Sequence, residues 1–269
     1  MKTRVAALVL LVTAACSPPA QKAQTSPESA ESKTAAAPEA PPVDPRAVEA
    51  LMRMSAYLRT LQSFEVLAET TMDQVLTDTE QKVQFAGNGI YRIRRPNAFY
   101  LEANTDRRQR QFYYDGTTFT IFSPRMDVYA QRPAPGTIRE MVTEMEERYD
   151  IPVPLADLFY WGSEEVEQDE FELASVIGPA RMAGQEADHY AFRQGDIDWQ
   201  IWIARGDRPL PLKVVVTTRS DPAQPQFVSE LAWNTNASFS PATFAFRAPD
   251  GAHEIQIAEA EAIRQQESQ

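Results

Sequence analysis

The chain of 269 residues has one cysteine, Cys16, and only two histidines, His189 and His253. A lone cysteine leaves no partner for an internal disulfide, so the folded part must be held together by its own core. Two distant histidines without a cysteine beside them argue against a zinc site. The chain also lacks a Gly-x-Ser-x-Gly nucleophile elbow and a glycine-rich phosphate loop. These absences predict a protein that is not an enzyme and that uses no metal and no cofactor.

Positive charge is scarce as well, because 26 lysines and arginines face 38 acidic residues and give a formal net charge of −12. Such an acidic surface repels phosphate backbones, which argues against nucleic acid as a partner. It also argues against docking on anionic lipid through a basic patch. No later stretch of the sequence reaches the roughly 20 apolar residues that a membrane-spanning helix needs.

Residues 1–15 have the pattern of a signal peptide, with Lys2 and Arg4 before a short apolar run and small residues before a cut. Thr13-Ala14-Ala15-Cys16 resembles the bacterial lipobox, in which the cysteine thiol is diacylated and becomes the first residue of a lipoprotein. Thr13 stands where that motif usually has leucine. The alternative is an ordinary secretory signal with an incidental cysteine. A free thiol would be unusual in an oxidising compartment, so we expect a lipid anchor at Cys16.

Residues 16–43 are predicted to be the lipid anchor followed by a disordered tether rich in Pro, Ala, Ser and Glu. A coil of this length spans on the order of 30 Å, so the folded domain would hang off the membrane. Ser17 follows the anchor, where aspartate is associated with inner-membrane retention in some bacteria. We therefore expect a periplasm-facing lipoprotein, in the outer membrane rather than the inner one.

Residues 44–257 are predicted to form one folded domain that begins with a helix. Asp44 suits the N-cap, Pro45 suits the first helical position, and apolar residues then recur at helical spacing. Runs of β-branched and aromatic residues with frequent alternation follow and indicate strands. The strands are predicted at residues 64–76, 82–94, 98–103, 109–114, 117–122, 127–131, 172–177, 187–193, 198–204, 212–218, 226–233 and 243–246.

A helical insertion is predicted midway along the domain, where the alternation stops. Thr137 and Glu140 form a capping box. One apolar helix face then carries Ile138, Met141, Val142 and Met145. A second short apolar helix follows two prolines and carries Leu155, Leu158 and Phe159.

The elements together predict a mainly β (α+β) fold. A single curved antiparallel sheet would form a half-open β-barrel, with an N-terminal helix and a helical lid inserted midway. Asp115-Gly116 is predicted to be a two-residue type I′ hairpin turn between two of the strands. Residues 258–269 are predicted to be a polar tail.

The interior of this sheet has two interpretations. Trp199, Ile201 and Ile203 share one face of a strand, whereas Trp202 lies on the other. Strands with large apolar residues on both faces need cover on both faces. The interior is then either an ordinary filled core, which the apolar stripes alone favour, or a cavity closed by the methionine-bearing helix.

Three motifs, in their order, resemble the LolA/LolB lipoprotein-carrier superfamily. Residues 87–99, from Gly87-Asn88-Gly89 to Arg95-Pro96-Asn97-Ala98-Phe99, resemble its Gly-x-Gly…Arg-Pro-Asn-x-Phe strand pair. Residues 114–124 resemble its hairpin of strand, Asp-Gly, strand and Asn/Ser-Pro, and residues 244–251 resemble its Phe-x-Phe-x-Pro-Pro-x-Gly ending. The resemblance covers residues 44–257 and is greatest to the periplasmic branch of that superfamily known only as a domain of unknown function.

The resemblance implies a half-open barrel around an apolar cavity that holds the acyl chains of lipoproteins, with the helices as a lid. It associates Arg95 with closure of that lid. We therefore expect a lipid-anchored envelope protein that binds or passes on a lipidic or acylated ligand, such as an acyl chain or a lipoprotein. The alternative is a protein–protein interaction module of the envelope without a lipid ligand. The candidate ligand or lid residues are Arg95, Ile138, Met141, Val142, Met145, Leu155, Leu158 and Phe159.

Overall fold

The computed structural model describes residues 42–134, 136–149, 151, 153, 155 and 171–257. The predicted signal peptide, Cys16, most of the tether, Leu158, Phe159 and the predicted polar tail lie outside the described residues. Within the described part, no helix is both long and apolar enough to cross a membrane.

The N-terminal helix α1 (Pro45–Thr60) begins where the sequence predicts. Asp44 is its N-cap, and the Asp44 carboxylate accepts the backbone N–H of Arg46 at 2.9 Å. Pro45 occupies the first turn, where its missing N–H leaves no bond unmade. One face of α1, with Val48, Leu51, Met54 and Leu58, is almost fully buried in the main core.

In the described part of the chain, twelve strands form one sheet, in the order β12-β6-β5-β4-β3-β2-β1-β11-β10-β9-β8-β7. The sheet is curved and unclosed, so the predicted fold class is confirmed. Every neighbouring pair is antiparallel except β12 and β6, which are parallel. The strands are β1 (Ser63–Val75), β2 (Lys82–Arg94), β3 (Ala98–Thr105), β4 (Gln109–Tyr114), β5 (Thr118–Ser123), β6 (Val128–Pro133), β7 (Leu173–Met182), β8 (Gln185–Gln194), β9 (Ile197–Ala204), β10 (Pro211–Thr218), β11 (Gln226–Asn234) and β12 (His253–Glu254).

The helix inserted midway is α2 (Ile138–Tyr149). The predicted capping box is present, since the Thr137 hydroxyl accepts the Glu140 N–H at 3.2 Å and the Glu140 carboxylate accepts the Thr137 N–H at 3.0 Å. Both helices share one apolar core with one face of the sheet, which we call the inner face. Residues of the inner face stand opposite one another across the strands, as in the row Val66, Tyr91, Leu101 and Phe112.

The strand predicted at residues 243–246 is wrong. The chain instead makes a short 3₁₀ turn at Pro241–Thr243, and Phe244 is 1% exposed in a small second core with Ala98 and Tyr100. Phe246 packs its ring 5.0 to 5.4 Å from three other aromatic rings, those of Tyr113, Phe122 and Tyr129. The alternating phenylalanines therefore cover the outer face of the sheet, and they need no ladder of hydrogen bonds to do so.

The type I′ turn predicted at Asp115-Gly116 is also wrong, by one residue. The Asp115 N–H bonds the Thr118 carbonyl at 3.4 Å, which leaves Gly116 and Thr117 as the two turn residues. Only Gly116 has a positive φ, at 98°, whereas a type I′ turn needs two. The Asp115 carboxylate accepts the backbone N–H groups of Thr117 and Thr118, both at 2.9 Å, and so occupies the cap of the turn instead.

Candidate ligand cavity

The predicted lid residues of α2 lie in the common core. Met141, Val142 and Met145 have no exposed surface, and Ile138 is nearly buried. They share that core with Met54 of α1 and with aromatic residues of the inner face such as Phe99 and Phe119. We call this helix-covered part of the inner face the closed end.

A cavity of about 610 Å³ lies at the other end of the inner face, which we call the open end. It lies over the end of β1, the start of β2, the end of β3 and the starts of β4 and β11. The main core does not fill this part of the inner face. Its lining residues are Thr70, Met72, Asp73, Gln74, Phe85, Ala86, Gly87, Asn88, Gly89, Tyr91, Ala103, Asn104, Thr105, Arg107, Arg108, Arg110, Phe112 and Phe227.

The inner wall of the cavity is apolar. Phe227 stands opposite Met72, and Met72 stands opposite Phe85, so three large side chains form one row across β11, β1 and β2. Tyr91 and Phe112 lie deeper and also belong to the main core. Met72 is 45% exposed, which shows that the row opens to solvent.

Two glycines on β2 keep this end of the inner face open. A Cβ on Gly89 would lie 2.7 Å from the Tyr91 ring, and one on Gly87 would lie 2.7 Å from the carbonyl oxygen of Asn104. Neither position can take a side chain without displacing a neighbour. The Gly-x-Gly of the first sequence motif therefore lets the Tyr91 ring lie flat along its own strand beside the cavity.

Three arginines lie on the β3–β4 side of the cavity. Arg107 and Arg108 belong to the turn between the strands, and Arg110 belongs to β4 opposite Ala103. The Arg107 guanidinium carbon lies 4.3 Å from the centroid of the Phe85 ring. Burial, and then repulsion from Arg108, lower the pKa of Arg110 from its usual value.

Arg95 lies elsewhere, at the junction between the sheet and α2. Its backbone N–H bonds the Gln62 carbonyl at 2.8 Å, and the carbonyl of the next residue, Pro96, accepts the N–H of Ile138 at 3.0 Å. The Arg95 guanidinium carbon is 6.0 Å from the Phe64 ring centroid. Its Nε is buried without a hydrogen-bond partner among the described residues, and burial lowers the pKa of Arg95.

The structure brings the first two sequence motifs together at this junction. A Cβ on Gly116 would lie 2.6 Å from the side-chain nitrogen of Asn97, so the Asp-Gly turn packs directly on the Arg-Pro-Asn segment. Neither Arg95 nor the α2 residues line the described cavity. Leu155 is half-buried against the core, and Leu158 and Phe159 lie outside the described residues. The predicted ligand residues thus stay a prediction, and sequence reasoning missed the residues that line the cavity.

His189, which lies outside the cavity, has structural partners. His189 stacks on Trp202 with ring centroids 3.9 Å apart and bonds the Gln200 side chain, while burial lowers its pKa. A second, more polar cavity of about 430 Å³ includes Arg205, Asp207 and Trp233. The described residues contain no group of three or more His, Cys, Asp or Glu side chains that could hold a metal ion.

The fold and the cavity define a class of protein with an open, curved sheet. Helices cover one end of its inner face, and an apolar cavity lies at the other end. The chain belongs to the family described as "Predicted periplasmic protein (DUF2092)", whose sequence model matches residues 47–258. This match confirms the periplasmic family of unknown function that the motifs indicate. None of the curated proteins matches the chain.

Several solved structures are similar to the chain. LprF from Mycobacterium bovis is 11% identical, with 79% of this chain and 100% of that chain covered and a TM-score of 0.42. The MucA/MucB complex of Pseudomonas aeruginosa gives 16% identity, 76% and 62% coverage, and a TM-score of 0.39. A LolA superfamily protein from Nitrosomonas europaea gives 8% identity, 74% and 97% coverage, and a TM-score of 0.34.

Proposed function

We propose that this protein is a lipid-anchored, periplasm-facing envelope protein that holds or passes on a lipidic or acylated ligand. The observation that carries the proposal is the cavity of about 610 Å³ at the open end, with its row of Phe227, Met72 and Phe85. Ligand pockets commonly occupy about 300–1,000 Å³ and are mostly apolar. The cavity has the volume and the lining for a flexible hydrocarbon chain.

The energetics are sufficient without any polar contact. Each buried methylene contributes about 0.8 kcal/mol, so a chain of about 14 carbons gains on the order of 10 kcal/mol before ordering costs. Micromolar affinity corresponds to about 8 kcal/mol. A ligand that buries most of such a chain therefore reaches useful affinity through its hydrocarbon alone.

The closed end has a second role in this proposal. α2 is held at its start by the bond from the Ile138 N–H to the Pro96 carbonyl, next to Arg95, whose Nε has no hydrogen-bond partner in the described part of the chain. A lid that swings about this junction would carry Met141 and Met145 off the inner face and extend the cavity into the core. The candidate residues of the lid contact the ligand only in that opened state.

The alternative is an envelope interaction module, and one observation favours it. β7 is an edge strand of the described sheet, and only its start is covered, by residues 42–44. Ile177 on this strand is 57% exposed, and Leu173 is 39% exposed. An exposed edge with apolar side chains can add a strand from a partner protein.

Blocking the cavity tests the proposal. Ala103 lines the cavity on the inner face, whereas Ala232 is exposed on β11 outside it. Ala103→Trp should weaken binding of a fluorescent fatty acid by roughly tenfold or more, because the indole occupies the space of the chain. Ala232→Trp is the matched control and should bind as the wild type does.

Normal binding by a folded Ala103→Trp protein would contradict the cavity proposal and favour the interaction module. Thr70→Trp, at a second lining position, repeats the test should the first variant unfold. Circular dichroism and the urea midpoint of each variant establish that it is folded before its affinity is compared.

The anchor is tested separately. Cys16→Ala should release the domain into the soluble periplasmic fraction or leave the precursor uncleaved, because the thiol that would be acylated is gone. Fractionation of cells that express each form, with the tether otherwise intact, gives the readout. Full membrane retention of a processed Cys16→Ala protein would contradict the lipid anchor.

A further inference from the structure

We infer that the ligand of this cavity carries an anionic headgroup, a carboxylate or a phosphate, which Arg107, Arg108 and Arg110 bind at the mouth. This inference rests on the proposed function and adds the chemical class of the ligand to it. Its basis is a local concentration of positive charge in a chain whose formal net charge is −12.

The turn that carries two of the arginines is well fixed. The Thr105 hydroxyl accepts the backbone N–H of Arg108 at 2.9 Å and that of Arg107 at 3.3 Å. The Thr105 N–H bonds the Arg108 carbonyl at 2.7 Å and closes the turn. Arg110 follows on the inner face of β4, so the three side chains start from a rigid backbone beside one cavity.

These arginines have no acidic partner among the described residues, although acids outnumber bases in the chain. Some arginines elsewhere in the fold are paired closely, as Arg92 with Glu65 at 2.8 Å and Arg193 with Asp198 at 2.6 Å. The charge of the three arginines is therefore not balanced by an ion pair within the described residues.

Two acids beside the cavity, Asp106 and Asp73, are already engaged. The Asp106 carboxylate accepts the backbone N–H of Ala86 at 3.1 Å. The Asp73 carboxylate accepts the backbone N–H of Gln226 at 3.2 Å and lies 3.4 Å from the Lys82 amine. Neither forms an ion pair with the three arginines, which leaves their charge for a ligand.

The position of the arginines favours a headgroup over a free ion. The Arg107 guanidinium lies against Phe85, whose ring also belongs to the apolar row of the cavity, so charge and hydrocarbon surface adjoin. The planar guanidinium forms paired hydrogen bonds with carboxylate or phosphate. A ligand with a neutral headgroup would leave half-buried Arg110 without compensation for its lost hydration.

The test compares ligands that share one chain and differ in headgroup. Dodecyl phosphate and dodecanoate should displace a fluorescent fatty acid roughly tenfold more effectively than dodecanol, since hydrogen bonds to charged groups are worth more than neutral ones. Added salt should weaken the binding of the two anionic ligands and leave the binding of dodecanol unchanged. Inorganic phosphate alone should not compete at the same concentrations, because it lacks the chain.

The variants assign the effect to the arginines. Arg108→Gln and Arg110→Gln, singly and together, should lower the affinity for dodecyl phosphate to that for dodecanol. The affinity for dodecanol should stay unchanged. Arg181→Gln is the matched control, because Arg181 lies exposed on the far edge strand β7. The salt series on the wild type repeats the test without any substitution.

The outcomes separate the two proposals. Equal binding of anionic and neutral ligands, unaffected by the Arg→Gln changes, would overturn the headgroup inference and leave the lipid cavity intact. Failure of all three ligands to displace the probe would contradict the proposed function itself. Competition by inorganic phosphate as strong as that of dodecyl phosphate would overturn the headgroup inference in favour of a free-anion site.

Discussion

The closed and open ends of the inner face are built on the same strands and yet are filled differently. On β2, Ile93 is 1% exposed at the closed end, whereas Phe85 is only half-buried at the open end. The closed end has two helices over it, and the open end has a cavity and three arginines.

The strands of the sheet are longer than the helix α1 that packs on them. β1 and β2 each have 13 residues and rise about 43 Å, whereas α1 has 16 residues and rises about 24 Å. A helix of that length cannot cover both ends of such strands. The main core, to which both α1 and α2 belong, leaves the open end of the inner face unfilled, and Gly87, Gly89 and Ala103 lie there beside the larger side chains of the apolar row.

The largest expected effect comes from truncating a methionine at the closed end. Met145 has no exposed surface, so Met145→Ala should lower the free energy of unfolding by about 2–5 kcal/mol, through lost burial and the cavity left behind. Met72, the same residue type in the open row, is 45% exposed, and Met72→Ala should cost about 0.5 kcal/mol or less. Urea unfolding with fitted midpoints and slopes measures both.

In ligand binding the order of the same two variants should be reversed, with Met72→Ala affected more than Met145→Ala. Met72→Ala removes part of the cavity wall and should weaken binding of a fluorescent fatty acid short enough to fit the open-end cavity with α2 closed, whereas a folded Met145→Ala protein should bind this ligand almost normally. Loss of uptake of this short ligand in Met145→Ala with little loss of stability would instead show that α2 covers a loosely filled interior and contacts the ligand without opening.

Much of the fold follows from the sequence. Alternation places eleven of the described strands, and β2 and β4 begin and end where it predicts. Ten of the eleven agree with the prediction within two residues at each end, whereas β7 runs five residues further than predicted. The caps of both helices follow from Asp44 and from the Thr137–Glu140 pair, because local hydrogen bonds decide them. The strand predicted at residues 243–246 is wrong because alternation of apolar residues is not specific to strands. Alternating phenylalanines also occur in a segment that packs on the face of a sheet without joining it.

The candidate site was less predictable. The sequence points to α2 because its apolar stripe is regular, but a regular stripe marks burial whether the neighbour is ligand or core. The position of the cavity depends on where the helices stop covering the inner face of the sheet. That boundary is set by how the helices pack on the sheet, which alternation along the sequence does not show. Three arginines within four residues were a visible signal, but the acidic net charge of the whole chain concealed their local excess.

The smallest expected effect concerns the polar bonds that tie the open end together. Asp73 joins β1 to its two neighbours, since its carboxylate accepts from the Gln226 backbone at 3.2 Å and from the Gln84 amide at 3.3 Å, with Lys82 3.4 Å away. Desolvation opposes ionisation of the Asp73 carboxylate, but these partners outweigh it and lower its pKa from the usual 3.8.

Because the folded pKa is lower than the unfolded one, this carboxylate stabilises the fold above about pH 4 and loses that contribution as the pH falls through the folded value. Asp73→Asn should therefore lower the urea midpoint slightly at about pH 6 and reduce the further loss seen at about pH 3. Asp78→Asn, at an exposed position in the β1–β2 turn, is the control and should keep the wild-type pH dependence. An Asp73→Asn protein that loses as much stability in acid as the wild type would show that the open end is not held by this carboxylate.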